Sequence, residues 1–240
     1  MTVGLELSGP EAARPFIEAA SASHPSLVDS SHRMDELFGV VNIPNVVWID
    51  EEGVIVRPAE PGWPGRTELP ESLRTLIAER ARQAAAEADS GDAPKRLDIA
   101  KITQGGQDRA AYPDAIRDWA HHGAESRYAL SPDEVIAASQ PRGAEQSAAA
   151  AHFELANRFW HDGDRDASIR HFNEAHRLQP DNWTYKRQAW SLIGNERVGG
   201  EMGRFSQNPL PGEEADWPFN SSFDADVAAL TPGAYYPKTM

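Results

Sequence analysis

The chain has 240 residues, 40% of them hydrophobic and 25% charged, which suffices for one large or two small domains with a genuine core. A formal charge of -14 with no basic stripe repels phosphate backbones and anionic lipid, so neither nucleic acid nor a membrane surface is an expected partner. There is no cysteine, which removes disulfides, thiolate nucleophiles and zinc-thiolate sites from this chain's chemistry. The first twenty residues lack a basic segment followed by an unbroken apolar stretch, and no run of about 18 apolar residues occurs, so the expected compartment is the cytoplasm.

Thr2 to Leu7 alternates weakly and is compatible with a strand, broken by Ser8-Gly9-Pro10. Ala12, Ala13, Phe16, Ile17 and Ala20 then fall at helical spacing, completing a β-turn-α unit. Leu27-Val28 is a short apolar run ended by Asp29-Ser30-Ser31, whose side chains suit the cap of a helix carrying Met34, Leu37 and Phe38 and closed by Gly39. Val46 to Ile49 and Val54 to Val56 predict two strands joined by Asp50-Glu51-Glu52-Gly53, a hairpin, and their near-continuous apolar character predicts burial on both faces. Leu73, Leu76, Ile77 and Ala81 give one face of a helix from Leu69 to Ala88. Residues 89–111 mix Gly, Pro and charge and form a linker. Helices are expected at 113–122, 132–139, 144–161, 165–178 and 181–193. From residue 196 the chain is an extended tail whose Trp217, Phe219, Phe223, Tyr235 and Tyr236 are too many aromatics for free disorder, so it packs on the body.

In the first 88 residues, Asp29, Leu37, Phe38, Gly39, Val40, Ile43, Pro44, Ile49, Asp50 and Gly53 stand in a line that resembles the second half of a thioredoxin-like domain of the TlpA/ResA type, related to the AhpC/TSA redoxins. The resemblance implies a cis Pro44, with the Ile43 backbone turned outward and Ile43, Pro44 and Asn45 facing a substrate or partner. It also implies thiol-disulfide exchange as the family activity. The departure is large: the family's Cys-x-x-Cys, the strand before it and its helix have no counterpart here, and that strand is central in the family's sheet, leaving a gap between residues 2–7 and the hairpin. Two accounts follow. Either the chain is an N-terminally truncated form of a longer protein, with a selenocysteine codon one speculative reason for a late start, or it is a remodelled unit whose sheet closes differently; unpaired donors of a central strand favour truncation.

Over residues 149–182, Leu155, Ala156, Phe159, Gly163, Phe172, Ala175, Leu178 and Pro180 occupy the small and large apolar places of a tetratricopeptide (TPR) repeat, a helix pair of about 34 residues. The resemblance departs at His152, where Trp is preferred, and at Ser168, where Ala is. No second in-phase repeat follows, so flanking helices must complete the stack, and intramolecular packing outweighs a partner groove.

Asp162, Asp164 and Asp166 imitate the start of a calcium loop, but Ala167 and Asn173 stand where Gly and Glu are required, so the stretch is a turn with Asp164 as a helix cap. The histidines at 121, 122, 152, 161, 171 and 176 lack helical zinc-site spacing. Trp48, Trp160, Trp183 and Trp190 are expected in packing, and Glu51-Glu52 in a solvated turn.

The expected architecture is therefore α/β plus α: an incomplete thioredoxin-like sheet with covering helices over residues 1–88, a linker over 89–111, a TPR-like helical domain over 112–195 and an aromatic-rich tail over 196–240. The expected function is a thioredoxin-like protein without catalytic residues, metal or cofactor, inactive in thiol-disulfide exchange as it stands. The alternative is a binding module for a protein or peptide that uses the Ile43-Pro44-Asn45 edge and the TPR-like helices.

Overall fold

The computed structural model describes residues 1–63, 111–139, 142–193, 203–210 and 212–240, with single positions between 71 and 102. Apart from those positions and Ala111, the helix expected over Leu69–Ala88 and the linker expected over 89–111 lie outside the described residues.

The chain begins with β1 (Thr2–Leu5), α1 (Pro10–Ala20) and β2 (Ser26–Asp29). β1 and β2 pair in parallel, Thr2 opposite Ser26 and Leu5 opposite Asp29, a pairing that needs the crossover helix between them. Pro10 occupies the first turn of α1, where its missing N–H would have had no partner anyway. The apolar face of α1 is not buried: Phe16 is 54% exposed, and Phe16, Ile17 and Ala20 line an open cleft of about 580 Å³ with Thr2 and Ser26. α2 (Arg33–Phe38) is capped from upstream, the Met34 N–H donating to Asp29 Oδ2 at 2.9 Å, and it ends at Gly39 with φ 74°, a left-handed conformation that suits glycine.

β3 (Asn45–Ile49) and β4 (Ile55–Pro61) form the expected antiparallel hairpin. Asp50 Oδ1 accepts the N–H groups of Glu52 and Val54 at 3.1 and 2.8 Å, closing the turn that Gly53 completes at φ 81°. β4 runs further than the apolar pattern predicts because it bulges: a step of two residues in β3, from Val46 to Trp48, is matched by a step of three in β4, from Glu60 to Arg57. The extra residue brings Arg57 and Glu60 to one side, where an unbroken strand would send i and i+3 to opposite faces. Pro58 falls inside this bulge, where the missing donor does least harm.

Burial of the hairpin on both faces is corrected by the structure. The hairpin is a two-stranded sheet whose residues are mostly half-buried rather than buried; α3 (Tyr112–His122) packs Tyr112, Ala115 and Trp119 against Trp48, while Ile49 and Val54 stay 41% and 55% exposed. Behind that cover lies a buried polar cluster. Arg57 grips Glu60 through Nε to Oε1 at 2.9 Å and Nη2 to Oε2 at 2.8 Å, while the Tyr112 hydroxyl donates to Glu60 Oε1 at 3.0 Å and accepts from Trp48 Nε1 at 2.9 Å. Burial and the Glu60 charge push the Tyr112 hydroxyl pKa far up, so it stays a donor.

The helical half follows the predicted periods: α4 (Pro132–Ser139), α5 (Ala144–Asp162), α6 (Arg165–Leu178) and α7 (Trp183–Leu192). The α5–α6 turn has Gly163 at φ 85°, and Asp164 Oδ1 accepts the Ala167 N–H at 3.0 Å, the cap expected there. The tail corrects the expectation of extended chain, for it contains α8 (Phe223–Ala229), whose Phe223 and Val227 enter the main core with Phe219 and Tyr235. That core is centred on Phe153, Phe172, Tyr185 and Trp190, and Leu7 joins it from beyond β1, so the α/β and helical halves share one interior. No described helix is long and apolar enough to cross a membrane.

Tyr112→Phe removes one hydroxyl and leaves Trp48 Nε1 without its acceptor in a buried site. The expected cost is about 1–3 kcal/mol of unfolding free energy with no change in fold. Urea titration followed by tryptophan fluorescence measures it, and an unchanged midpoint would contradict the role assigned to this cluster.

Candidate functional site

Among the described residues the two strand pairs are separate sheets with no ladder between them. An edge as buried as Leu7 cannot leave its backbone groups unmet, and α7 meets them. The Gln188 carboxamide donates from Nε2 to the Leu5 carbonyl at 3.1 Å and accepts the Leu7 N–H on Oε1 at 3.2 Å. One side chain thus takes the acceptor and donor that a neighbouring strand would take. At its first turn α7 also presents the Thr184 N–H to the Val41 carbonyl at 3.2 Å, just before the hairpin. Helix α7 therefore stands against both the edge of β1 and the segment leading into β3.

Asp35 of α2 fastens the same junction. It is 2% exposed and accepts from the Tyr185 hydroxyl at 2.7 Å, Arg142 Nη2 at 3.0 Å and Gln179 Nε2 at 3.3 Å. Its neighbour His32, also 2% exposed, has no hydrogen-bond partner on either ring nitrogen and lies against Phe153 and Tyr185 at ring-centroid distances of 5.1 and 6.3 Å. Burial drops its pKa to about 4 against the pull of Asp29, and burial drops that of His176 to about 3. Both are neutral packing groups at pH 7.

The Ile43–Pro44 peptide is cis. Ile43 is 45% exposed, Pro44 is exposed and Asn45 half-buried. The Ile43 backbone is not open to solvent groups, however. Its N–H donates to Asn42 Oδ1 at 2.9 Å, its carbonyl accepts from the Tyr236 hydroxyl at 3.0 Å, and Asn42 Nδ2 donates to the Tyr235 carbonyl at 2.8 Å. The end of the chain thus lies on Ile43, the first of the three residues expected to face a partner. Trp63 completes the arrangement, its ring edge-on to Tyr236 at 5.0 Å.

In the helix pair, Ala156, Phe172 and Ala175 are fully buried, Phe159 stacks on His171 at 5.3 Å and Gly163 makes the turn. Leu155 and Pro180 correct the packing assignment: Leu155 is 44% exposed and Pro180 lies in an exposed turn, while Phe153 fills the interior facing Tyr185 at 3.9 Å. The two departures from the repeat pattern both face the partner helix. The Ser168 hydroxyl donates to the Ala156 carbonyl at 2.8 Å, and His152 Nδ1 lies 2.8 Å from His171 Nδ1. That contact requires a proton on one Nδ1 and none on the other, and partial burial, His152 and Arg170 all lower the His171 pKa. No group of three potential metal ligands converges among the described residues.

Several of these features left a trace in the sequence. His152 stands out as a departure from a repeat pattern, Pro58 inside a strand signals a bulge, and the tail aromatics signal docking. Asp35, Gln188 and His32 left none, because a single polar residue on a short or amphipathic helix resembles an ordinary solvated one. Comparison with known proteins finds no matching family model, no matching curated protein and no matching solved structure.

Two outcomes follow from this junction. Gln188→Ala strips the β1 edge of both partners and is expected to cost about 1–3 kcal/mol, with hydrogen exchange at the Leu7 amide accelerated in proportion. Because His32 has a folded pKa below its unfolded one, the unfolded chain takes up a proton that the folded chain refuses between pH 6.5 and about 4. Stability therefore falls as pH falls through that window, by about 1.4 kcal/mol per pH unit for this group. His32→Asn, which tolerates the left-handed backbone at φ 57°, should flatten the slope of urea-unfolding free energy between pH 6.5 and 4.5.

Proposed function

We propose that this chain is a cysteine-free, thioredoxin-like protein that acts as a binding module for extended polypeptide. The observation that carries this reading is the Gln188 carboxamide on Leu5 and Leu7: the edge where a thioredoxin-like sheet would continue is met by the chain's own helix. Within this chain those backbone groups are met without a further strand at that point. With no cysteine in its sequence, the chain supplies no thiol for disulfide exchange and is inactive in that reaction as it stands.

What remains for function is the exposed face around Ile43, Pro44 and Asn45. Exposed apolar side chains suit an extended polypeptide, whose alternate side chains supply selectivity, and the Ile43 carbonyl, now held by the Tyr236 hydroxyl, is the main-chain group for which it would compete. The TPR-like helix pair serves the interior, since Phe153, Ala156, Phe172 and Ala175 are turned into the core. Acidic protein with no nucleic-acid or membrane partner, acting in the cytoplasm, belongs to the same proposal.

In an insulin-reduction assay the chain should add nothing to the rate with dithiothreitol alone, whereas a permanently unfolded, carboxymethylated polypeptide should bind saturably by fluorescence titration. Ile43→Asp should weaken that binding about tenfold or more. Measurable insulin turnover, or the absence of any binding to unfolded polypeptide, would overturn the proposal.

A further inference from the structure

The face around Ile43 is already occupied, and its occupant has the chemistry of a ligand. After α8 the chain forms no helix or strand, and it returns across the hairpin with polar contacts that include these four: Asn42 to the Tyr235 carbonyl, the Tyr236 hydroxyl to the Ile43 carbonyl, Arg57 Nη2 to the Thr239 carbonyl at 3.1 Å and the Thr239 hydroxyl to Glu60 Oε2 at 2.7 Å. Two use main-chain carbonyls, which any extended peptide offers; two use hydroxyls three residues apart, which few do. Tyr235 is 2% exposed and held in the core beside Trp183, with its hydroxyl bonded to Arg187, so it is the fixed end. Pro237, Lys238 and Thr239 are exposed, so lifting this part costs no regular structure; what it gives up is the contact of Tyr236 with Trp63 and of Met240 with the Trp48–Tyr112 cluster.

The receiving side shows why the place would not stay empty. Arg57 and Glu60 are 5% and 3% exposed, and when Thr239 leaves, a buried guanidinium nitrogen and a buried carboxylate oxygen each lose a partner, a condition that favours a replacement of the same chemistry. We propose that this face is a docking site for an extended peptide bearing a tyrosine and, three residues on, a serine or threonine, and that Tyr236–Thr239 is its displaceable internal competitor. The inference rests on the polypeptide-binding reading and names the sequence class bound and the way binding is restrained.

The test uses a fluorescein-labelled peptide spanning residues 233–240 and fluorescence anisotropy against two full-length proteins, the unaltered chain and the double variant Tyr236→Ala/Thr239→Ala. The peptide should bind the double variant at least about tenfold more tightly, because the competing segment has lost both hydroxyls. Peptides carrying Tyr236→Phe or Thr239→Val should each lose about fivefold to tenfold in affinity for the variant, the range for one hydrogen bond. Equal peptide binding to both proteins, no peptide binding to either, or indifference to the two hydroxyls would overturn this inference. If carboxymethylated polypeptide still binds both proteins alike, the general binding reading survives; if it binds neither, that reading falls as well. Circular dichroism of the double variant shows that it is folded, and the peptide variants carry the test without altering the protein.

Discussion

A strand edge that borders a core must have its donors and acceptors met, and here a glutamine on a helix meets them. Gln188 offers one donor and one acceptor on a planar amide, the same pair that a peptide group offers, and it places them on Leu5 and Leu7. Much of the architecture follows from that contact. α7 is held against β1, Thr184 reaches the Val41 carbonyl, and Leu7 is drawn into a core otherwise built by helices and the C-terminal region. Asp35 reinforces the junction from α2 by gathering Tyr185, Arg142 and Gln179, which come from three places in the helical half. Breaking a buried charge away from such partners is expensive, so the two halves behave as one body.

The hairpin solves a separate problem. Two strands alone are barely stable in water, and this pair gains its stability from a covered face and from what the bulge brings together. By turning Arg57 and Glu60 to the same side, the bulge makes a buried ion pair whose remaining hydrogen-bonding capacity is taken up by Tyr112, the Tyr128 carbonyl and Thr239. The pair links the hairpin, α3, the turn at Tyr128 and the chain's end. The last few residues thereby lie across the Ile43 face, so the surface best suited to an extended partner and the segment that covers it are parts of one hydrogen-bonded system.

The helical pair resembles a repeat unit but is used as interior. Its buried face is supplied by Phe153, Ala156, Phe172 and Ala175, and its neighbours are α7 and the region around α8 rather than further repeats. The two residues that depart from the repeat pattern, His152 and Ser168, do not point outward toward a partner. They make contacts between α5 and α6, by a shared proton in one case and a hydroxyl-to-carbonyl bond in the other. A hydroxyl fits where alanine is usual because a backbone carbonyl lies within reach, and two imidazoles fit where an indole is usual because they can share a proton.

The sequence by itself determined the described helices up to Leu192, though not α8, since periodicity and caps are local: Gly163, Asp164 and Gly39 act within a turn of their own positions, and the β-α-β and hairpin elements follow from spacing and turn residues. It also determined the absence of thiol chemistry in this chain and the docking of the aromatic-rich tail. Tertiary structure decided how the strand pairs are closed, which face of the hairpin is covered, that Leu155 turns outward while Phe153 turns in, and that Tyr236 lies on Ile43. Those outcomes depend on contacts between residues distant in sequence, such as Asp35 with Tyr185, Leu5 with Gln188 and Trp48 with Tyr112. A lone polar residue carries no local mark of the distant backbone it will satisfy, because its partner is chosen only when burial removes water as the alternative.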